Sequence, residues 1–126
     1  MIPATVNLFD HYRGDTWDGM TIGPVMFNTG TAEVPVLVPP TYPVASCRMQ
    51  FRDAASALGY ELTNVVTAGK GLITITDATA WTFAVLPQLL PLDAGEWLYD
   101  FECTDTQGTI MTLYKGQLNV VQDQSQ

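Results

Sequence analysis

The chain has 126 residues, enough for one hydrophobic core. Hydrophobic residues make up 47% of it but charged residues only 14%, well under the roughly 25% of an ordinary soluble domain, which points to a surface partly meant for other protein rather than for water. Thirteen acids against five bases leave a net charge of −8, which argues against nucleic acid or an anionic membrane surface as the partner, since both are bound by clustered Lys and Arg.

Val6 to Tyr12 reads as a first strand, and Arg13-Gly14-Asp15-Thr16-Trp17-Asp18-Gly19 as a turn carrying a large aromatic. Met20 to Phe27 is a second apolar run, closed by the turn residues Asn28-Thr29-Gly30. Residues 33–45 hold Pro35, Pro39, Pro40 and Pro43. Proline cannot donate to a ladder, so this is an edge segment or a long extended loop. Its apolar residues are too many for a solvated loop, so it either packs over the body of the fold or forms an interface.

Ser46 to Arg52 alternates cleanly, with Cys47, Met49 and Phe51 expected inside and Ser46, Arg48, Gln50 and Arg52 outside. Tyr60 to Asn64 is a short strand, Gly69-Lys70-Gly71 a turn, and Leu72-Ile73-Thr74-Ile75-Thr76 a β-branched strand. Asp77 is placed to cap a short helical turn through Trp81, followed by an apolar connection to Leu92. The strand over residues 96–104 has Trp97, Tyr99, Phe101 and Cys103 on one face and Leu98, Asp100 and Glu102 on the other. Asp105-Thr106-Gln107-Gly108 is a hairpin turn. Thr109 to Val121 is a last long strand whose facing changes near Gly116, which predicts a bulge there. Residues 122–126 read as a frayed polar tail.

About seven short strands with regular turn signals and at most one short helix predict a single all-β domain over 1–126, an antiparallel sandwich. The N-terminus shows no basic or apolar leader pattern, and no run reaches the ~20 apolar residues of a membrane span. Synthesis in a reducing cytoplasm is therefore expected. Cys47 and Cys103, both predicted to face inward, are then either buried free thiols or a disulfide within or between the sheets.

Asp93-x-Gly95-x-Trp97-x-Tyr99 resembles the corner before the penultimate strand of immunoglobulin-like domains, Asp-x-Gly-x-Tyr-x-Cys, with Trp97 in the tyrosine place and Tyr99 in the cysteine place. A broader resemblance rests on Arg13-Gly14-Asp15-Thr16-Trp17, Arg48-Met49-Gln50-Phe51-Arg52, Leu72–Thr76, Leu92–Glu102, Asp105–Thr109 and Gly116–Val121, in that order. The chain is similar in these to small immunoglobulin-like structural proteins of tailed bacteriophages and prophages, and to the N-terminal module of phage baseplate upper proteins. The match is dense over 46–121 and thin before it. The resemblance implies a virion component made in the host bacterial cytoplasm, with other virion proteins as partners in multiple copies. It implies a docking or spacer module of the tail, neck or baseplate, with no catalytic residues to carry over.

Two further readings are kept beside this one: a capsid decoration protein, and a carbohydrate-binding adhesion module on a host glycan. Of Trp17, Trp81 and Trp97, alternation reads Trp97 as core and the apolar connection reads Trp81 as a packing plug, which leaves Trp17, in a turn, for a ligand or partner pocket. Other constellations have simpler explanations. Arg13-Gly14-Asp15 is turn chemistry before it is an adhesion tripeptide. His11 with Asp10, Asp15 and Asp18 lacks metal-ligand spacing. Asp100 and Glu102 are better matched to Arg48 and Arg52 across strands than to glycoside hydrolysis. No catalytic, cofactor or metal residue is assigned. The expected interface comprises Val34, Val36, Leu37, Val38 and Tyr42 in the proline-rich stretch, Trp17 in the early turn, and Trp81, Leu89 and Leu90 in the apolar connection.

Overall fold

The computed structural model describes residues 4–66 and 69–122. The tail expected to fray lies, past Gln122, outside the described residues. Every regular element among the described residues is a strand: β1 (Ala4–Thr5), β2 (His11–Tyr12), β3 (Thr16–Trp17), β4 (Met20–Ile22), β5 (Phe27–Asn28), β6 (Leu37–Val38), β7 (Val44–Arg52), β8 (Leu58–Thr63), β9 (Gly71–Asp77), β10 (Thr82–Val85), β11 (Gln88–Leu89), β12 (Gly95–Asp105) and β13 (Ile110–Val121). Seven of these have three or more residues, and they build the body of the fold.

The hydrogen-bonded path runs β1-β13-β12-β7-β8-β9-β10-β4, with β2 also beside β13. It turns over between β8 and β9, where only Leu62 with Gly71 and Thr63 with Leu72 are paired. One layer is therefore β4-β10-β9 and the other β8-β7-β12-β13. Phe83 of β10 meets Phe101 of β12 edge to face at 5.0 Å, which closes the two layers on each other. This is the strand order of an immunoglobulin-like β-sandwich. The longer strands pair antiparallel, and the parallel contacts are β1 and β2 with β13 and the short β8–β9 link.

Alternation places the apolar core of these strands as the sequence predicts, but Gln50, expected outside, is buried beneath its bonds to Glu61 and Arg52. Cys47, Met49 and Phe51 of β7 and Tyr99, Phe101 and Cys103 of β12 are buried, each large apolar side chain contributing about 1.5–3 kcal/mol on leaving water. Arg48 and Glu102, outward register partners, form an ion pair at 2.9 Å. Arg52 departs from the expected ladder: it donates to Gln50 Oε1 at 2.9 Å and to the Ser56 carbonyl at 3.1 Å.

Several local expectations are corrected. The first strand, expected over Val6 to Tyr12, survives only at its far end as β2, and β1 lies just before the expected stretch. Between them Val6 and Leu8 still donate main-chain bonds to Lys115 and Gln117, so the segment follows the edge of β13 without a full ladder. The turn after Asp77 is not helical. Asp77 Oδ1 accepts from the N–H groups of Thr79 and Ala80, but Trp81 adopts a φ of 58° and sends the chain straight back as β10, which with β11 divides the connection read as irregular. The bulge is at Leu113, not Gly116: Phe101 pairs with Tyr114 while Glu102 pairs with Thr112. The extra residue switches the phase, so that Leu113 and then Leu118 and Val120 all point inward. Gly116 has a different duty, because a Cβ there would collide with the Val6 carbonyl, and Tyr99 Oη donates to that same carbonyl.

The corner residue Trp97 is half-buried rather than fully in the core. Its indole N–H donates to the Asp93 carbonyl at 2.9 Å. Indole thereby makes the backward bond to the chain upstream that a tyrosine hydroxyl makes at the same corner of immunoglobulin domains.

Candidate docking surface

Three connections meet at one end of the sandwich: the long β4–β7 connection, the β9–β10 turn and the β12–β13 turn. Main-chain bonds tie them together. Val25 donates to Ala80, Val44 to Ala78 and Thr106 to Pro43, at 2.9 to 3.2 Å. The buried Asp105 organises the last turn, its Oδ1 accepting from Gln107 and Thr109 as an Asx motif does. Trp81 is the plug between the connections. It is 1% exposed, stacks edge to face on Phe27 at 5.3 Å, and donates its indole N–H to the Tyr42 carbonyl at 2.8 Å.

From this platform β5 and β6 project as a hairpin arm. Its tip is built by short polar residues that satisfy the backbone locally. Asn28 Oδ1 accepts from the N–H groups of Gly30 and Val36, and its amide donates to the Thr31 carbonyl. Thr31 Oγ1 accepts from Val34 N–H, and Thr29 N–H donates to the Val36 carbonyl at 2.8 Å. A side chain at Gly30 would strike the Val34 carbonyl, so the tight crossing needs glycine there. On this fixed frame Val34, Val36 and Leu37 stand 68%, 50% and 59% exposed. Between the arm and β13 lies a groove of about 740 Å³, lined on one side by Val25, Met26, Phe27 and the arm's own Asn28, Gly30 and Ala32, and on the other by Met111, Leu113 and Tyr114 of β13. No Asp, Glu, Lys, Arg or His lines it.

The structure sorts the expected interface residues. Val34, Val36, Leu37 and Tyr42 are exposed and Val38 is half-exposed, all on or beside the arm. Leu89 is also exposed, but on β11, which pairs with β3 at the other end of the sandwich. Trp17, Trp81 and Leu90 are corrected: each is buried. Trp17 faces inward edge-on to Phe51 at 6.3 Å, because the turn that carries it folds back under the sandwich instead of projecting. With Trp17 and Trp81 inside and Trp97 half-buried at its corner, the three indoles form no exposed platform. The residues sequence reasoning missed are Met111, Leu113, Tyr114 and Ile110. They join the arm only through tertiary folding, and the bulge at Leu113 that aims them leaves no clear trace in the sequence.

The outer face of β8-β7-β12 is polar. Gln50 donates to Glu61 Oε2 at 2.8 Å and Lys70 to Glu61 Oε1 at 3.1 Å. The Gln50 bond and the Lys70 ammonium hold the Glu61 carboxyl below its usual range. Asp100, partly buried and beside Glu102, is pushed above its usual range by burial first and by that like charge second. A shallow hollow of about 350 Å³ over Arg48, Thr63 and Glu102 opens on this face. Exposed pairs of this kind contribute about 0–1 kcal/mol each.

Cys47 and Cys103 are direct partners across β7 and β12, and both are free, buried thiols. Cys47 N–H donates to Asn64 Oδ1 and its carbonyl accepts from Asn64 N–H. Its main-chain groups thus point away from Cys103, and the two residues form a non-hydrogen-bonded pair, whose side chains are the closer kind. Burial pushes the Cys47 thiol up to about 12 and raises Cys103 as well. His11 is buried with its Nε2 unpartnered. Among the described residues no three of His, Cys, Asp and Glu gather as a metal-holding group, and no helix is long and apolar enough to cross a membrane. Arg13 is engaged, pairing with Asp93 at 2.9 Å and donating to Gln122.

No protein-family model and no curated protein matches the chain. Among solved structures it is similar to the crystal structure of CopC from Methylosinus trichosporium OB3b, with a TM-score of 0.44 and 10% identity over 91% of this chain and 86% of that one. Neither site residues nor chemistry transfer at that distance.

Proposed function

We propose that the chain is a non-enzymatic structural protein of a tailed-phage virion, an immunoglobulin-like docking or spacer module of the tail, neck or baseplate that anchors neighbouring tail or receptor-binding components. The observation that carries the docking role is the arm. A hairpin whose backbone is satisfied by its own Asn28, Thr29 and Thr31, yet which holds Val34, Val36 and Leu37 in water, is ordered before it meets anything. Such preorganisation lowers the entropy lost on binding, and an apolar patch held in this way is what a protein contact needs. The virion setting rests on the resemblance. Its motifs fall on β3 and the turn before it, on β7, β9, β12, the β12–β13 turn and the end of β13, so they travel with the sandwich that presents the arm.

Mass spectrometry and immunogold labelling of purified particles test this. The expected result is the chain in stoichiometric amount at the tail, neck or baseplate, and loss of incorporation for a folded Val36→Glu, Leu37→Glu variant. Absence from particles overturns the virion assignment. Labelling spread over the head in hundreds of copies moves it to capsid decoration. Normal incorporation of the arm variant removes the arm from the contact.

A further inference from the structure

We propose that Cys47 and Cys103 are a cross-linking site: when the chain folds in the presence of a small-molecule disulfide, the two thiols close into a disulfide that staples β7 to β12. These are the two inner strands of the β8-β7-β12-β13 layer. The inference concerns the sandwich itself and stands apart from the docking reading.

Geometry brings the two sulfurs together. The residues face each other directly across the antiparallel ladder. Both main-chain groups of Cys47 are bonded to Asn64, on the β8 side, which makes Cys47 and Cys103 a non-hydrogen-bonded pair. Cα atoms in such a pair stand about 4.5 Å apart, inside the roughly 4.4–6.8 Å that a disulfide spans. Both side chains enter the core from the same face of the sheet, at 3% and 0% exposure, so neither has to cross the sheet to reach the other. The chain holds two cysteines, so one copy has a single pairing to make. The bond closes the loop from residue 47 to residue 103, nearly half the chain, and cross-linking a loop of that length removes much of the freedom of the unfolded state. It also lies directly under the platform of the arm. Val44, bonded to Ala78, is three residues before Cys47, and Asp105, which organises the β12–β13 turn, is two after Cys103.

The step is thiol–disulfide exchange with a reagent R–S–S–R. One cysteine gives its proton to water, its thiolate attacks a reagent sulfur, and R–S⁻ leaves. The second cysteine, also deprotonated, attacks the protein sulfur of that mixed disulfide and expels a second R–S⁻. The two leaving thiolates take up the two protons. Two protein thiols are oxidised, and one small disulfide is reduced to two thiols. Exchange needs a thiolate and room for the reagent, and the folded sheet offers neither. Burial pushes the Cys47 thiol up to about 12 and raises Cys103 as well. The staple is therefore made while β12 is still docking on β7, and the same burial then shields it from reductants. A chain folded under reducing conditions keeps both thiols when it is later moved to an oxidising medium, so the conditions during folding set the state that persists.

Refolding the full, unaltered chain tests this. The chain is unfolded in urea with reductant and refolded either in reductant or in a mixture of oxidised and reduced glutathione. Intact mass, thiol labelling under denaturing conditions and a circular-dichroism melt are then compared. In glutathione the expected product is a monomer lighter by two hydrogens, with no thiol to label and a melting temperature higher by roughly 5–15 °C. The gain should disappear when that product is unfolded and refolded in reductant. Chain refolded in reductant and only then moved into glutathione should keep both thiols while it stays folded. A Cys47→Ser, Cys103→Ser double variant should melt alike after either refolding. The inference is overturned by a glutathione-refolded chain that keeps both thiols, carries glutathione on each, or is linked to a second copy. It is equally overturned by a bridged chain that melts no higher than the reduced one, or by the same gain in the double variant. Rapid bridging of the already folded chain overturns the claim that burial fixes the state.

Discussion

Replacing Trp81 tests the account of how the arm is held. The side chain is 1% exposed, packs on Phe27, and gives its only N–H to the Tyr42 carbonyl. Trp81→Ala removes the indole from between three connections that are already bonded to one another, so the gap cannot collapse fully. A cost of about 3–5 kcal/mol is expected for such a truncation, a large part of the roughly 5–15 kcal/mol that holds a domain of this size together. The left-handed backbone at residue 81 is common to Trp and Ala and does not alter the difference. Trp81→Phe keeps an aromatic ring against Phe27 and leaves the Tyr42 carbonyl without its donor, which is expected to cost about 1–3 kcal/mol. Urea denaturation followed by far-ultraviolet circular dichroism measures both, with the midpoint falling and the slope unchanged. A Trp81→Ala variant within about 1 kcal/mol of the unaltered chain would refute the claim that this residue pins the loops.

Further outcomes follow from the titrating groups. Because burial and Glu102 raise the Asp100 carboxyl, its charged form opposes folding. Asp100→Asn should therefore raise the melting temperature at neutral pH, and the gain should vanish at acid pH where Asp100 is already protonated. Tyr99, pushed up to about 12 by burial and then by Tyr114, holds its proton in the folded chain after an unfolded tyrosine has lost it near 10. Its contribution to stability is thus complete below pH 10 and lost as pH climbs toward 12. An ultraviolet phenolate titration should show one tyrosine lagging the rest. Cys47 and Cys103, buried and with raised thiols, should react with an aromatic disulfide reagent only at the rate of unfolding, and rapid labelling of the native chain would contradict their burial.

Much of the architecture follows from local pattern. Period-two alternation in residues 46–52 and 96–104 already separates Met49, Phe51, Tyr99 and Phe101 from Arg48, Asp100 and Glu102, because a strand has no other way to place successive side chains. Asp105 and Gly108 announce their turn by chemistry that acts within four residues, and the four prolines of 33–45 exclude a central strand by lacking a donor. The polar residues of the arm's tip, Asn28, Thr29 and Thr31, are as local. What the tertiary structure alone decided depends on partners distant in the chain. Trp17 and Trp81 sit in segments that read as connections, and they are buried because Phe51 and Phe27 arrive from elsewhere. The phase of the last strand is reset at Leu113 by its pairing with β12, not by the glycine that draws the eye. The groove between the arm and β13 exists because residues near 26 and near 112 are brought side by side. A side chain's facing is set by its own backbone, whereas its burial and the cavities beside it are set by whatever packs opposite, and that information is spread over the whole chain.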